Sequence, residues 1–160
     1  MDQFNSLAVP HQARKRFGQN FLQDGAIIDR IVRAIGPAVD DRLIEIGPGQ
    51  GALTLPLVEH LSEHASLDLL EIDRDLAAQL DRRFAHDSRI NLHQIDALNF
   101  DFVSLRQQGH KALRVFGNLP YNISTEILSR WIINIDKNFW FESLVLMFQK
   151  EVAERIIAAS

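Results

Sequence analysis

Asn118-Leu119-Pro120-Tyr121 is the tetrapeptide with the most chemistry in it. An exocyclic amine on a purine is a poor nucleophile, because its lone pair is delocalised into the ring. Two acceptors aimed at the amine hydrogens, the Asn118 side-chain oxygen and the Leu119 carbonyl, favour a pyramidal nitrogen with its lone pair free. Pro120 fixes φ and carries no N–H, so it stiffens the turn that aims those acceptors. Tyr121 offers a flat face to an unstacked base, an interaction worth about 1 to 3 kcal/mol by alanine substitution. The plainer reading of the same residues is a turn closed over a buried aromatic.

A second constellation lies upstream. Arg42 to Gly51 runs Arg-Leu-Ile-Glu-Ile-Gly-Pro-Gly-Gln-Gly, an apolar strand that stops at glycines on alternate positions. Glycine reaches positive φ and has no Cβ, so Gly47 and Gly49 can bend the chain sharply and let a ligand approach bare backbone. Dinucleotide folds space their glycines Gly-x-Gly-x-x-Gly under a pyrophosphate. The spacing here is Gly47-x-Gly49-x-Gly51 after Glu45, which resembles the first motif of S-adenosylmethionine-dependent methyltransferases, whose cofactor has no phosphate to cradle. Glu71 ends an apolar run twenty-four residues after Gly47, where a doubly wound fold places the carboxylate that receives ribose hydroxyls; a solvated cap is its alternative. Ile72 can cover one face of an adenine. Asp96, with Ala97 beside it, either accepts from the adenine amine or caps the turn through Asn99.

Elements alternate around these residues. Asp24 caps a helix with Ile27, Ile28, Ile31, Val32 and Ile35 on one face, stopped at Gly36-Pro37. Leu53, Leu57, Val58 and Leu61 predict a second helix, with Pro56 tolerable only in its first turn. Leu67 to Ile72 predicts a strand, and Asp73 caps a helix carrying Leu76, Leu80 and Phe84. Ile90 to Ile95 and Leu113 to Gly117 predict two more strands. Ile127, Leu128, Trp131 and Ile132 line a helix; Leu144 to Phe148 predicts a fifth strand, before a helical pattern at Val152, Ile156 and Ile157. Strand-helix alternation of this kind predicts a mostly parallel sheet flanked by helices, an α/β Rossmann-like fold with ligands beyond the carboxyl ends of the strands.

At 160 residues and 46% hydrophobic, the chain is the size of one domain and unlike a disordered tract. Without cysteine, disulfides, thiolate zinc sites and cysteine nucleophiles are excluded. His60 and His64 stand four apart on the expected second helix with no further ligands in pattern, so a solvated face is expected and no metal. No run of about eighteen apolar residues and no signal pattern occur, which predicts a soluble cytoplasmic protein away from membranes. The net charge of −4 counts against a polyanionic partner, but Arg14, Lys15 and Arg16 face only Asp2 within the first twenty residues. Residues 1–18 therefore read as a flexible basic segment, a solvated tail or an RNA-contacting arm, ahead of a cofactor-binding catalytic domain over 19–160.

Taken in order, Gln19-Asn-Phe-Leu22, Glu45-Ile-Gly-Pro-Gly-Gln-Gly-Ala-Leu-Thr54, Glu71-Ile-Asp73, Asp96-Ala97, Phe116-Gly-Asn-Leu-Pro-Tyr-Asn-Ile-Ser-Thr125 and Phe148-Gln-Lys-Glu-Val-Ala153 resemble the ribosomal RNA adenine N6-dimethyltransferase family from Arg16 to Ile157. The likeness is nearest to the bacterial small-subunit branch. It implies S-adenosyl-L-methionine as cofactor and N6,N6-dimethylation of two adjacent adenosines in the loop of the 3′-terminal hairpin of 16S rRNA, within a 30S assembly intermediate. It also implies that Asn20 and Leu22 touch the methionine part of the cofactor and that Gly47 lies under it. Glu71 would then hold the ribose, Asp96 the adenine, and Asn118 would sit between cofactor and target, with Tyr121 stacked on a flipped base. Family members continue past this point with further strands and a small helical domain, so the fold is expected to be truncated before its last strands, and the chain to be a monomer that binds cofactor more readily than it turns over. Related amino-methyltransferases acting on 23S rRNA, DNA adenine or a protein glutamine, and a non-catalytic RNA-binding assembly factor, share parts of the pattern.

Overall fold

The computed structural model describes residues 24–109, 111–133 and 141–147, with Tyr121, residues 132–133 and the last segment placed by their backbone. In chain order the elements are α1 (Gly25–Ile35), β1 (Arg42–Ile46), α2 (Thr54–His60), β2 (Ser66–Glu71), α3 (Arg74–Phe84) and β3 (Ile90–Gln94), then a 3₁₀ turn (Ala97–Asn99), α4 (Phe102–Gln107), β4 (Leu113–Asn118), α5 (Tyr121–Ile133) and β5 (Phe141–Met147). The five strands form one sheet in the order β3-β2-β1-β4-β5, every pairing parallel. The chain winds outward from β1 to β3, then returns to the other side of β1 to start β4. That reversal leaves a crevice between the carboxyl ends of β1 and β4, the position where open α/β sheets bind ligands.

Because side chains alternate across a strand, the two faces have separate cores. Leu43, Leu67, Leu69 and Phe116 pack with Val32 and Ile35 of α1 and Leu57 of α2, beside Leu53, while Phe84 of α3 borders the same cluster. Ile44, Ile46, Leu70, Leu113 and Val115 pack on the other face with Phe102 of α4 and Ile127 of α5. There Phe100, Phe102 and Trp131 meet edge to face at centroid separations of 4.9 and 5.0 Å, a geometry that aligns ring edges with ring faces.

Local signals set the helix starts. The Asp24 carboxylate accepts from Ala26 N–H at 2.9 Å, and Asp73 accepts from the Asp75 and Leu76 amides at 2.9 and 3.0 Å. Each such cap stabilises a helix by about 1 kcal/mol. Pro56 is the third residue of α2, inside the first turn as its missing N–H requires. At the amino end of the sheet, Arg42 donates to the carbonyls of Leu105, Arg106 and Lys111, so one guanidinium gathers the end of α4.

Four details differ from the sequence reading. α2 ends at His60 with Leu61 as its cap, so His64 lies past the helix and the two histidines do not share a helical face. β5 begins at Phe141, three residues before the expected start, because Phe141 pairs with Leu113 across an irregular register. α4 was not anticipated, although Asp101 accepts from the Ser104 amide at 3.0 Å and Phe102 fills the core. β2 stops at Glu71 and β3 at Gln94, each one residue early, although the Ile95 N–H still donates to Glu71 O at 3.1 Å. The segment 1–18, Asn20, Leu22 and the pattern from Phe148 to Ile157 lie outside the described residues.

Candidate functional site

Parallel pairing fixes which residues share the rim. Ile46 is in register with Leu70 of β2 and with Gly117 of β4. The next row therefore aligns Gly47, Glu71 and Asn118 on one face, and Gly47 N–H continues the ladder by donating to Leu70 O at 2.8 Å. Three residues spread over seventy positions of sequence are brought side by side at the crevice.

The glycine loop needs its glycines. Gly47, Gly49 and Gly51 have φ of 67°, 59° and 87°, in the left-handed region that other residues enter at a cost of about 1 kcal/mol or more. At Gly47 a Cβ would also stand 2.9 Å from Leu119 Cδ2. This close approach shows that the Asn118-Leu119 turn is folded against the glycine loop. Gly117 is similarly tight: a Cβ there would lie 2.8 Å from Ile46 O.

Two buried carboxylates brace the loop. Glu71 is 5% exposed. Its Oε1 accepts from Gly49 N–H at 2.9 Å and its Oε2 from Asp73 N–H at 3.0 Å. It is not the solvated cap that was its alternative reading. It fixes the backbone on both sides of the rim, and each oxygen keeps lone-pair capacity for a further donor. Glu45, fully enclosed in β1, accepts from the Thr54 hydroxyl at 2.6 Å. Burial pushes the Glu45 acid up to about 7, the Thr54 hydrogen bond opposes that rise, and the nearby Glu71 charge adds to it. Sequence reasoning named Glu45 only as the residue before the loop and passed over Thr54. The available signal was a carboxylate inside the apolar run Leu43 to Ile46.

Asp96 lies just past the carboxyl end of β3: its Oδ1 accepts from Leu98 N–H at 3.0 Å and starts the 3₁₀ turn, the capping role that was one of its two readings. Ala97 is buried beneath it. Ile72, beside Glu71, is 66% exposed, one of two large apolar side chains so exposed among the described residues. An isoleucine held open at the rim is suited to one face of a planar ring. Asn118 and Leu119 are half-buried, Pro120 is exposed, and Tyr121 begins α5 immediately after them. The Pro120 carbonyl receives the Ile123 and Ser124 amides at 3.1 and 3.0 Å, so the turn leads directly into the helix. Buried Ser124 directs its hydroxyl to Leu119 O at 3.5 Å.

Glu71, Asp73 and Asp96 put negative charge along the carboxyl edge of the sheet among the described residues, a field that favours a cationic ligand. The crevice is not built for phosphate: the Glu71 carboxylate takes the Gly49 amide and places negative charge where a pyrophosphate would sit. The described residues include no group of three or more histidines, aspartates or glutamates able to hold a metal, and no helix long and apolar enough to cross a membrane.

Comparison with known proteins agrees with this geometry. The Nitrosococcus oceani ribosomal RNA small subunit methyltransferase A is 49% identical over 148 residues, which are 92% of this chain and 53% of that protein. The chain thus spans about half the length of the curated relatives it matches. The crystal structure of the 23S rRNA methyltransferase ErmE superposes with a TM-score of 0.68 at 24% identity, covering 88% of this chain and 52% of the other. A dimethyladenosine transferase from Plasmodium falciparum gives 0.65 at 27% identity, covering 84% and 45%. The fold is accordingly the Rossmann-like one of S-adenosylmethionine-dependent methyltransferases. Residues 10–160 match the family model described as ribosomal RNA adenine dimethylase, and with that match over nearly its whole length the chain belongs to this family.

Proposed function

We propose that the chain is the cofactor-binding and catalytic part of an enzyme that transfers methyl groups from S-adenosyl-L-methionine to N6 of two adjacent adenosines in the 3′-terminal hairpin loop of 16S rRNA. The observation that carries the reading is the rim row of Gly47, Glu71 and Asn118, closed by Leu119 against Gly47. The residues fit the cofactor: a loop with glycine at alternate positions, the Glu71 carboxylate beside it, an exposed Ile72 and negative charge at the rim for a positively charged ligand.

When bound, the cofactor supplies a methyl group activated on a sulfonium. Gly47 and Gly49 leave space for its amino-acid part, which Asn20 and Leu22 would also contact. Glu71 receives the ribose hydroxyls with the lone pairs its two amide bonds leave over. Ile72 covers the adenine, and Asp96 with Ala97 meets its edge. On the target side, Asn118 Oδ1 and the Leu119 carbonyl accept the amine hydrogens, localising the nitrogen lone pair, while Pro120 holds the turn and Tyr121 stacks on the everted base. Once methylated, the nitrogen is acidic and releases its proton without a strong general base. The rate therefore comes from positioning and electrostatic fit.

The acidic rim is a poor surface for RNA phosphate. The grip on a 30S assembly intermediate would come from residues 1–18, with Arg14, Lys15 and Arg16, and from the part of the longer relatives not spanned here. The protein would work as a cytoplasmic monomer. Calorimetry of this chain with S-adenosyl-L-methionine tests the first half of the reading: binding in the micromolar to low-millimolar range is expected, and none at millimolar cofactor would refute it. Labelled cofactor offered with 30S particles, 50S particles, DNA and release factor, using a chain of the relatives' full length, tests the second. Label is expected on the small-subunit RNA; label confined to any of the others would refute the substrate assignment.

A further inference from the structure

Glu45 and Thr54 belong to no contact assigned above to cofactor or target, yet both are enclosed and joined to each other. Thr54 is fully buried, the first residue of α2, and its hydroxyl turns inward to Glu45 at 2.6 Å. Leu53, at the cap position, offers α2 no side-chain oxygen. The usual reason for a threonine at a helix start, capping the free amides, is therefore not the one served here. Instead the pair joins the carboxyl end of β1 to the first turn of α2, across the whole glycine loop from Gly47 to Gly51. Glu71 holds the middle of the same loop through Gly49 N–H. Three consecutive alternate positions at positive φ make a segment with few intrinsic restraints, because glycine loses more conformational freedom on ordering than any other residue.

Resting on the cofactor reading above, we propose that the Glu45–Thr54 hydrogen bond is a positioning tether: it holds both ends of the glycine loop in the conformation that accepts S-adenosyl-L-methionine, without touching the cofactor. Carboxylate and hydroxyl are the suitable pair for this. A short hydrogen bond between groups on two packed elements is directional, whereas an apolar contact of the same size would permit sliding. The enclosure of both groups keeps water from competing for the bond.

The test is the cofactor affinity of three variants beside the wild type, by calorimetry with S-adenosyl-L-methionine, with circular dichroism as the check of folding. Thr54→Val keeps shape and removes the hydroxyl; it should raise Kd about tenfold, the factor that corresponds to losing one buried hydrogen bond. Thr54→Ser restores the hydroxyl without the methyl group and should return Kd to within about threefold of wild type. Glu45→Leu removes the acceptor from the other side in an apolar setting and should weaken binding as Thr54→Val does, which keeps the test decisive even if the valine variant does not fold. Wild-type affinity in Thr54→Val or Glu45→Leu, or a serine variant as weak as the valine one, overturns the tether while leaving the cofactor reading intact. Absence of binding by the wild type refutes the cofactor reading, and the tether's role falls with it.

Discussion

Glu45 makes the stability of this protein depend on pH in an unusual direction. Its acid is held up at about 7 in the folded chain, against an ordinary value of 4.5. Between those values the folded state binds more protons than the unfolded one. The stabilisation is therefore fully present below 4.5 and is lost as pH rises through about 7. At 1.36 kcal/mol per pH unit, the gap corresponds to about 3 kcal/mol between pH 4.5 and 8.5. The decisive perturbation is Glu45→Gln, which keeps the acceptor for Thr54 and cannot titrate. Urea unfolding of both proteins at half-unit steps over this window isolates Glu45, because every other group contributes to both curves. The difference in unfolding free energy should shift by about 3 kcal/mol against the wild type as pH rises. The causes make a further distinction. Thr54→Val removes a hydrogen bond that favours the charged form and should move the inflection to higher pH, whereas Glu71→Gln removes a like charge and should move it lower. If the wild-type and Glu45→Gln curves run parallel within about 0.5 kcal/mol, the buried-acid account is wrong.

The remaining predictions concern the rim. Glu71→Ala removes the acceptor of both Gly49 and Asp73 amides as well as the proposed ribose contact, so calorimetry should show at least about a tenfold loss of cofactor affinity, with Glu71→Gln intermediate. Gly47→Ala should be worse than Gly49→Ala in both stability and cofactor binding: each position is left-handed, but only at Gly47 does the added Cβ also meet Leu119. Chemical denaturation should give about 1 kcal/mol for Gly49→Ala and clearly more for Gly47→Ala; equal losses would argue against the packed loop. Tyr121→Ala should leave cofactor Kd within about threefold of wild type, and in a chain of the relatives' length should lower methyl transfer at least about tenfold. Joint loss of cofactor binding and folding in that variant would assign Tyr121 to the core.

Much of this was written locally. The caps Asp24 and Asp73, the stop at Gly36, the place of Pro56 and the alternation of strand and helix each depend on residues within a turn or two of one another. Such signals survive in sequence because the interactions behind them close over short stretches. The three left-handed glycines were legible for the same reason. What was missed had a weaker signature. α4 is six residues long, too short for a periodic apolar face, and β5 gained its first residues from pairing with Leu113.

The amino-acid sequence alone determined the fold class, the position of the ligand-binding turn and the tetrapeptide suited to an aromatic amine, because backbone conformation and amphipathic period are properties of neighbouring residues. Strand-helix alternation already put Gly47, Glu71, Asp96 and Asn118 on one rim, but tertiary structure alone decided that β4 lies beside β1, and hence that Gly47, Glu71 and Asn118 share a row. It also decided that Glu71 and Glu45 spend hydrogen bonds on the protein's own loop. Strand order is set by how two faces of a sheet are covered, and a buried carboxylate finds its partner only when separate elements dock, so neither can be read from spacing along the chain.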